Sequence, residues 1–303
     1  MTAPRLAPLE HEQLLHFAGE DSQRFLQGQL TCDMRILADG EHLLGACCTP
    51  QGRMLANFRL LSHAAGFTLA MPAGQPVFLK QQLQKYAIFF RQMSMQDIST
   101  QWMRLGLFGP AAESVLAALM GTPCPPQGQS LSWEQGHVLA LPGTEARFEI
   151  WLPPQSPAAA ALQAETIAVP PESWQLADIE AGIGWVTENT RAMWIPQELE
   201  WHQRGGVSFT KGCYTGQEIV ARLAYRGTLK SRLYRFSSTD TSLPVPGTEL
   251  LTAEGKKSGL LVGAARSPSQ RLQLLAVVRS KDADGPLLLN GQPLTREPLA
   301  SVT

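Results

Sequence analysis

Among five cysteines, one stands inside a run whose residue types and spacing suit chemistry: Gly205-Gly206-Val207-Ser208-Phe209-Thr210-Lys211-Gly212-Cys213-Tyr214-Thr215-Gly216-Gln217-Glu218-Ile219-Val220-Ala221-Arg222. Thr215 and Glu218 have the T-x-x-E spacing of a capping box, which predicts a helix starting at about Gly216. Cys213 lies just before that N-terminus, where unpaired amides and the positive end of the helix dipole favour an anion, and Lys211 is two residues away. Both features predict a lowered thiol pKa, with Cys213 as the candidate reactive thiol and Lys211 as its activator. The same residues leave open a second reading, a small buried cysteine in a glycine-rich turn. A basic run follows, Arg222, Arg226, Lys230, Arg232 and Arg235, with no Asp or Glu between Ile219 and Thr239. Arg222 and Arg226, four apart, share a helix face, and Tyr225 adds a stacking surface, a combination suited to RNA phosphate or to a ligand's carboxylate tail if it is not simply a solvated face.

The rest of the chain excludes several classes. Its 303 residues are 44% hydrophobic, enough for a substantial core in one large or two to three small domains. A formal charge of -1, from 25 basic and 26 acidic residues, gives the whole molecule no pull toward nucleic acid or an anionic membrane, so any polyanion site must be local. No apolar run approaches the roughly 18 residues of a membrane helix, and the start lacks an apolar signal region, so a cytoplasmic address and no membrane partner are expected. Cys32, Cys47, Cys48, Cys124 and Cys213 contain no C-x-x-C pair, which argues against a disulfide framework and a self-contained metal or cluster motif. His11 and His16 are five apart, not the four a zinc-protease helix needs, and Gly182-Ile183-Gly184 lacks the third glycine of a dinucleotide loop.

Helices are predicted from Ser22 to about Thr31, Gln75 to Phe89, Ala111 to Met120, about Ala158 to Ala164 and Glu172 to Ala181. Strands are predicted at 43–48, 53–61, 66–71, 101–108, 131–141 and 147–152, the first two meeting at Pro50-Gln51-Gly52. This irregular alternation predicts an α+β fold. After Gly227 the helical pattern stops. Short segments near 229–236, 249–252, 259–265, 272–278 and 287–289 predict a small C-terminal antiparallel β-barrel, with a domain boundary at about residue 228 and a second subdomain beginning near residue 100.

The motif Lys211-Gly212-Cys213-Tyr214-Thr215-Gly216-Gln217-Glu218, with Arg222 and Arg226-Gly227, closely resembles the K-G-C-Y-x-G-Q-E signature of the YgfZ-type folate-binding, tRNA-modifying proteins. Phe25 to Asp33, Gly52 to Arg59, Lys85-Tyr86, and Trp174 ahead of Asp178 to Gly182 extend the match over nearly the whole chain. That family is related to the glycine-cleavage aminomethyltransferase. The resemblance implies two interleaved α+β subdomains over residues 1–227 and a barrel over 228–303, arranged around a central cavity that takes tetrahydrofolate. It further implies Trp174 as the pterin's aromatic wall and Glu145 as the carboxylate for its N–H groups, with the acidic tail directed toward Arg222 and Arg226. Two departures stand out. Met71 is followed by Pro72-Ala73-Gly74-Gln75-Pro76-Val77, without the acid that serves the transferase chemistry, and the position near Glu12 lacks the family's first-domain tryptophan.

Three functions follow as expectations. The first is a folate-binding accessory protein that supports iron–sulfur cluster assembly or maintenance and, through cluster enzymes, tRNA modification, using Cys213. Its partners are iron–sulfur enzymes or assembly proteins, with direct tRNA contact open. The second is a tetrahydrofolate-dependent one-carbon transferase, disfavoured because the loop after Met71 offers no carboxylate. The third is a scaffold whose cysteine is structural. No resident metal is expected, since one cysteine cannot hold a cluster that takes four ligands.

Overall fold

The computed structural model describes residues 3–38, 40–143, 145–226, 229–240 and 242–300, with the side chains of 224–226 outside that set. The chain opens with β1 (Arg5–Pro8), then builds β2 (Glu12–Ala18), α1 (Ser22–Gln29), β3 (His42–Cys48), β4 (Met54–His63), β5 (Gly66–Pro72), α2 (Gln75–Gln84) and β6 (Ser94–Asp97). The second group is β7 (Met103–Phe108), α3 (Ala112–Met120), β8 (Ser130–Trp133), β9 (Gly136–Leu141), β10 (Arg147–Leu152), α4 (Pro157–Ala164), β11 (Ile167–Ala168) and α5 (Pro171–Glu180). After a long irregular stretch come α6 (Gln217–Arg226) and the strands β12 (Ser231–Ser238), β13 (Glu249–Thr252), β14 (Lys257–Arg266), β15 (Leu272–Arg279), β16 (Leu287–Leu289), β17 (Gln292–Pro293) and β18 (Thr295–Glu297).

Three sheets result, and the first two interleave. The strands from β2 to β6 form an antiparallel sheet in the order β3-β4-β5-β2-β6, whereas β1 leaves them and joins the other sheet, β11-β1-β7-β10-β9-β8. The C-terminal strands run β17-β16-β13-β14-β15-β12-β18. Its edge strands β17 and β18 are sequence neighbours, which curls the sheet into a nearly closed antiparallel barrel.

Alternation along the strands builds the layers. In β2, Leu15 faces Phe25, Leu26, Leu79 and Leu83 of α1 and α2, while its neighbour Leu14 faces Leu139, Trp151 and Trp174 of the other half. The two sheets therefore pack on one another, with α1 and α2 outside one and α3 and α4 outside the other. In β15, Leu274 and Ala276 fill the barrel, and Leu275 and Val277 turn outward onto α5 and the irregular stretch after it.

Boundaries differ from the sequence reading where tertiary contacts intervene. The second predicted helix ends at Gln84 and is followed by a 3-10 turn, Ala87–Phe89. The predicted strand 131–141 is a hairpin, β8 and β9, because Glu134 adopts φ 54° and turns the chain. Strands β1, β2 and β6 had no counterpart in the sequence reading.

The seam between the two sheets carries stacked rings. His16 and His63 lie 5.3 Å apart, His63 and His137 5.0 Å, and His137 and Trp102 5.5 Å. His16 and His63 both hydrogen-bond Thr68 Oγ1 at 2.9 Å. Burial, then the neighbouring His137 and His16, pushes the His63 pKa down to about 4, and burial also lowers that of His16. An unfolded histidine titrates near 6.5, so below that pH the unfolded chain binds protons that the folded seam refuses. Stability is therefore expected to fall as pH drops from about 6.5 toward 4. His63→Phe, which keeps a ring in the stack, should remove roughly 1 kcal/mol of that loss, allowing for the part exposure of the site. Urea unfolding at pH 7 and pH 5 checks this, and an unchanged pH dependence in the variant would assign the acid sensitivity elsewhere.

Candidate functional site

The part of the motif run before α6, residues 205–216, folds as a loop docked on the C-terminal end of α1. The Ser208 amide donates to Thr31 O (2.9 Å), the Thr31 hydroxyl to Gly206 O (2.6 Å), and the Thr215 amide to Gly28 O (3.3 Å). Lys211, 5% exposed, donates from Nζ to the carbonyls of Gln27, Leu30 and Cys32, each at 2.7 Å. The last carbonyls of a helix lack intrahelical partners, and a cation is favoured there. The ammonium expected to activate Cys213 is thus committed to closing α1. Burial pushes its pKa down to about 8, while the three carbonyls favour the charged form.

The capping box does not form either. The Thr215 hydroxyl donates to Gln29 Oε1 (3.4 Å) and its amide is taken by Gly28, so neither meets Glu218. The start of α6 is pressed instead against the β3–β4 turn. At Gly216, φ +86°, a Cβ would lie 2.5 Å from Thr49 O, which is why the motif needs glycine there. Gln197 Nε2 donates to Val220 O (2.6 Å) from the other side. Tyr214 is buried with its ring 5.1 Å from Lys211 Nζ, and burial raises its phenol's pKa.

What remains at the surface is Gly205, Thr210, Gly212, Cys213, Glu218 and Arg222. Cys213 is the exposed thiol; Cys32, Cys47 and Cys48 are buried and Cys124 is half-buried. Burial pushes the Cys32 and Cys47 pKa values up to about 12 and raises that of Cys48 as well, and burial followed by Glu113 takes Cys124 to about 11. Limiting iodoacetamide near neutral pH should therefore label Cys213 first, about tenfold or more ahead of Cys124. Comparable labelling of Cys124 on peptide mapping would remove Cys213's special standing.

A separate cavity of about 460 Å³ opens where the β2–β5 edge, α5, residues 183–189 and barrel strands β14 and β15 meet. That volume lies within the roughly 300–1,000 Å³ of small-molecule sites. Its aromatic wall is Trp185. The indole N–H donates to Asp178 Oδ2 (2.8 Å), and Asp178 Oδ1 accepts from Arg147 (2.6 Å). Asn57 holds the backbone on both sides of the ring, donating to Gly184 O (2.8 Å) and accepting from the Val186 amide (2.7 Å). The ring also meets Trp201 edge-on at 5.7 Å, and the Arg59 guanidinium lies 5.5 Å away.

A buried charge chain runs from the cavity into the seam. Glu149 accepts from Arg59 (2.5 Å), from Trp151 Nε1 (2.7 Å) and from Arg104, and Arg104 also donates to Glu12 at the cavity wall. Glu12 pairs across the ladder with Pro72, so a carboxylate does reach the segment after Met71. The sequence reading considered only residues following Met71 along the chain. Glu12 Oε1 is buried without a hydrogen-bond partner, and His11 Nε2 stands 3.7 Å from it.

Of the residues expected to bind folate, Trp174, Glu145 and Arg222 are not among those lining this cavity. Trp174 is fully buried behind it, edge-on to Phe108 (5.6 Å), with the Arg147 guanidinium 4.3 Å from its ring centroid. Glu145 pairs with Arg5 at a separate cleft of about 140 Å³. Arg222 is exposed on α6, and the Arg226 side chain lies outside the described residues. The sequence reading missed Trp185, Glu12 and the charge chain. Cys213 is likewise not part of the cavity wall. Among the described residues no group of three His, Cys, Asp or Glu side chains is placed to hold a metal ion, and no helix is long and apolar enough to cross a membrane.

This architecture is that of the aminomethyltransferases. The structure is similar to glycine cleavage system aminomethyltransferase T from Bartonella henselae, with a TM-score of 0.80 at 20% identity over 98% of this chain and 86% of that one. Residues 5–142 match the GCVT N-terminal domain. The chain belongs to the YgfZ family of tRNA-modifying proteins: it is 30% identical over 283 residues to the member from Pectobacterium carotovorum subsp. carotovorum (strain PC1), covering 92% of this chain and 84% of that protein. The Edwardsiella ictaluri (strain 93-146) member is 31% identical over 272 residues, covering 88% and 82%.

Proposed function

We propose that this protein binds a reduced folate in the cavity beside Trp185 and acts as an accessory factor in tRNA modification by sustaining iron–sulfur enzymes, with Cys213 as its working thiol. The cavity carries the reading: a rigidly held indole for a flat pterin, and a buried carboxylate oxygen without a partner for the pterin's N–H edge. Membership of a tRNA-modifying family supports the cellular role. The exposed Cys213 is one ligand at most, so any cluster passing through it is completed by a client protein or small thiols.

Two measurements test this. Calorimetry should detect 5-formyltetrahydrofolate binding to the intact protein and a loss of about tenfold or more in Trp185→Leu, in line with a stacking contact worth roughly 1–2 kcal/mol. In cells lacking the protein, cluster-dependent tRNA thiolation should be restored by the wild type and not by Cys213→Ser. Absence of binding, or full rescue by Cys213→Ser, would overturn the corresponding half.

Glu12 gives the second reading, a tetrahydrofolate-dependent one-carbon transferase, the carboxylate that the chain after Met71 lacks. One of its oxygens is held by Arg104, so it is placed for binding and not for proton transfer. Ammonia released from an aminomethyl carrier in a tetrahydrofolate-dependent way would favour the transferase.

A further inference from the structure

The charges around the cavity constrain what part of a ligand it can hold. Among the described residues its ionisable lining is His11, Glu12, Asp178 and Glu188, with no Lys or Arg. The cations behind the wall are each paired with a carboxylate, although Arg59, Arg104 and Arg147 each keep one buried nitrogen without a hydrogen-bond partner. Arg104 and Arg59 are bound to Glu149, with Arg104 also on Glu12, and Arg147 is bound to Asp178. Arg191, beside the mouth, donates to Gln75 Oε1 (2.7 Å), lies 3.9 Å from the Phe78 ring centroid and is 3.9 Å from Glu188. The mouth itself presents the 76%-exposed Glu188 side chain and the apolar Leu243, Pro244 and Pro246. Among the described wall residues two buried polar atoms lack a hydrogen-bond partner: Glu12 Oε1, an acceptor on a side chain 4% exposed that has His11 Nε2 3.7 Å away, and His11 Nδ1.

A buried acceptor without a partner favours a ligand edge that donates hydrogen bonds, and low-dielectric walls of one sign repel a like-charged group that enters. We infer that the cavity selects an uncharged, donor-edged planar heterocycle and gives no hold to an anionic tail, so that affinity does not rise with the number of glutamyl residues on a folate. This deepens the folate reading above and rests on it. It also replaces the expectation that an acidic tail reaches Arg222 and Arg226 and strengthens binding.

The experiment is calorimetry on the full chain with tetrahydropteroyl mono-, tri- and pentaglutamate and with 6-methyltetrahydropterin, at low and moderate salt. Affinities of the three glutamates should agree within about twofold or decline with chain length, and added salt should not weaken them. Glu188→Lys reverses the charge at the exposed mouth, where no folding defect is expected. It should tighten triglutamate binding about three- to tenfold and leave the tailless pterin unchanged. Wild-type affinity that climbs several-fold per added glutamate and weakens with salt would overturn the inference, as would a Glu188→Lys variant with no new chain-length dependence. If no folate bound at all, the folate reading itself would fall, and this inference with it, a result distinct from binding that depends on the tail.

Discussion

Lys211→Met is expected to destabilise the protein by about 3–5 kcal/mol, as large an effect as a single substitution away from the apolar core produces. Three carbonyls, of Gln27, Leu30 and Cys32, share its Nζ. Without it the buried ones among them lose their donor, and each unsatisfied group costs roughly 1–3 kcal/mol. The methionine keeps the apolar stem, so the loss isolates the ammonium from the packing of the chain it sits on. Lys211→Arg should also be destabilising, because a planar fork cannot reproduce three bonds converging on one nitrogen. Urea unfolding measures both. A loss below 1 kcal/mol in Lys211→Met would mean that water replaces the ammonium. In that variant Cys213 should also be alkylated no more slowly than in the wild type, since Lys211 holds the loop down and does not serve the thiol.

That outcome separates what was legible in the sequence from what was not. The motif around Cys213 was found because its residues are contiguous, and its exposure of the thiol agrees with the placement beside a helix start. The roles inside it were not legible. Sequence neighbours at Lys211 and Cys213 diverge because Lys211 answers to α1, nearly 180 residues earlier in the chain. The capping pattern failed for the same reason: α1 takes the Thr215 amide before Glu218 can.

The cavity was legible only as an expectation of the fold. Trp185 follows Gly182-Ile183-Gly184, a stretch weighed as a dinucleotide loop, and its orientation depends on Asn57 and Asp178 from other elements. Strand β1 escaped because four residues carry little periodicity and its antiparallel partner, β7, lies about a hundred residues away. The charge chain did leave a trace. Arg59, Arg104 and Glu149 each stand between two apolar neighbours in a strand, and charges inside buried strands require partners. Which partners they find is fixed by the packing of two sheets, which no local pattern encodes.

Glu149→Gln is the second large effect, and it tests that packing. Glu149 is fully buried and is the acceptor for Arg59, Arg104 and Trp151 Nε1. The amide keeps the shape but leaves the buried Arg59 without its carboxylate and Arg104 with Glu12 alone, and removing one member of such a set costs about 3–5 kcal/mol. Burial alone would raise the Glu149 pKa, but Arg104 and Arg59, with hydrogen bonds from Arg104 and Trp151, hold it well below the usual carboxylate range. A carboxylate depressed in the folded state contributes stability that is present above its unfolded pKa, near 4.3, and is lost as pH falls further. The variant should therefore be less stable at pH 7 and less steeply acid-sensitive below about pH 4, whereas most of the slope between 6.5 and 4, to which the histidine seam, His42 and His202 contribute, should survive. Folate affinity should weaken too, because Arg104 relieved of Glu149 draws more fully onto Glu12 and shifts the acceptor at the cavity wall. Unfolding midpoints across pH 3 to 7 decide the matter: an unchanged midpoint at pH 7 would show that the two sheets hold together by apolar contact alone, with the charge chain contributing nothing.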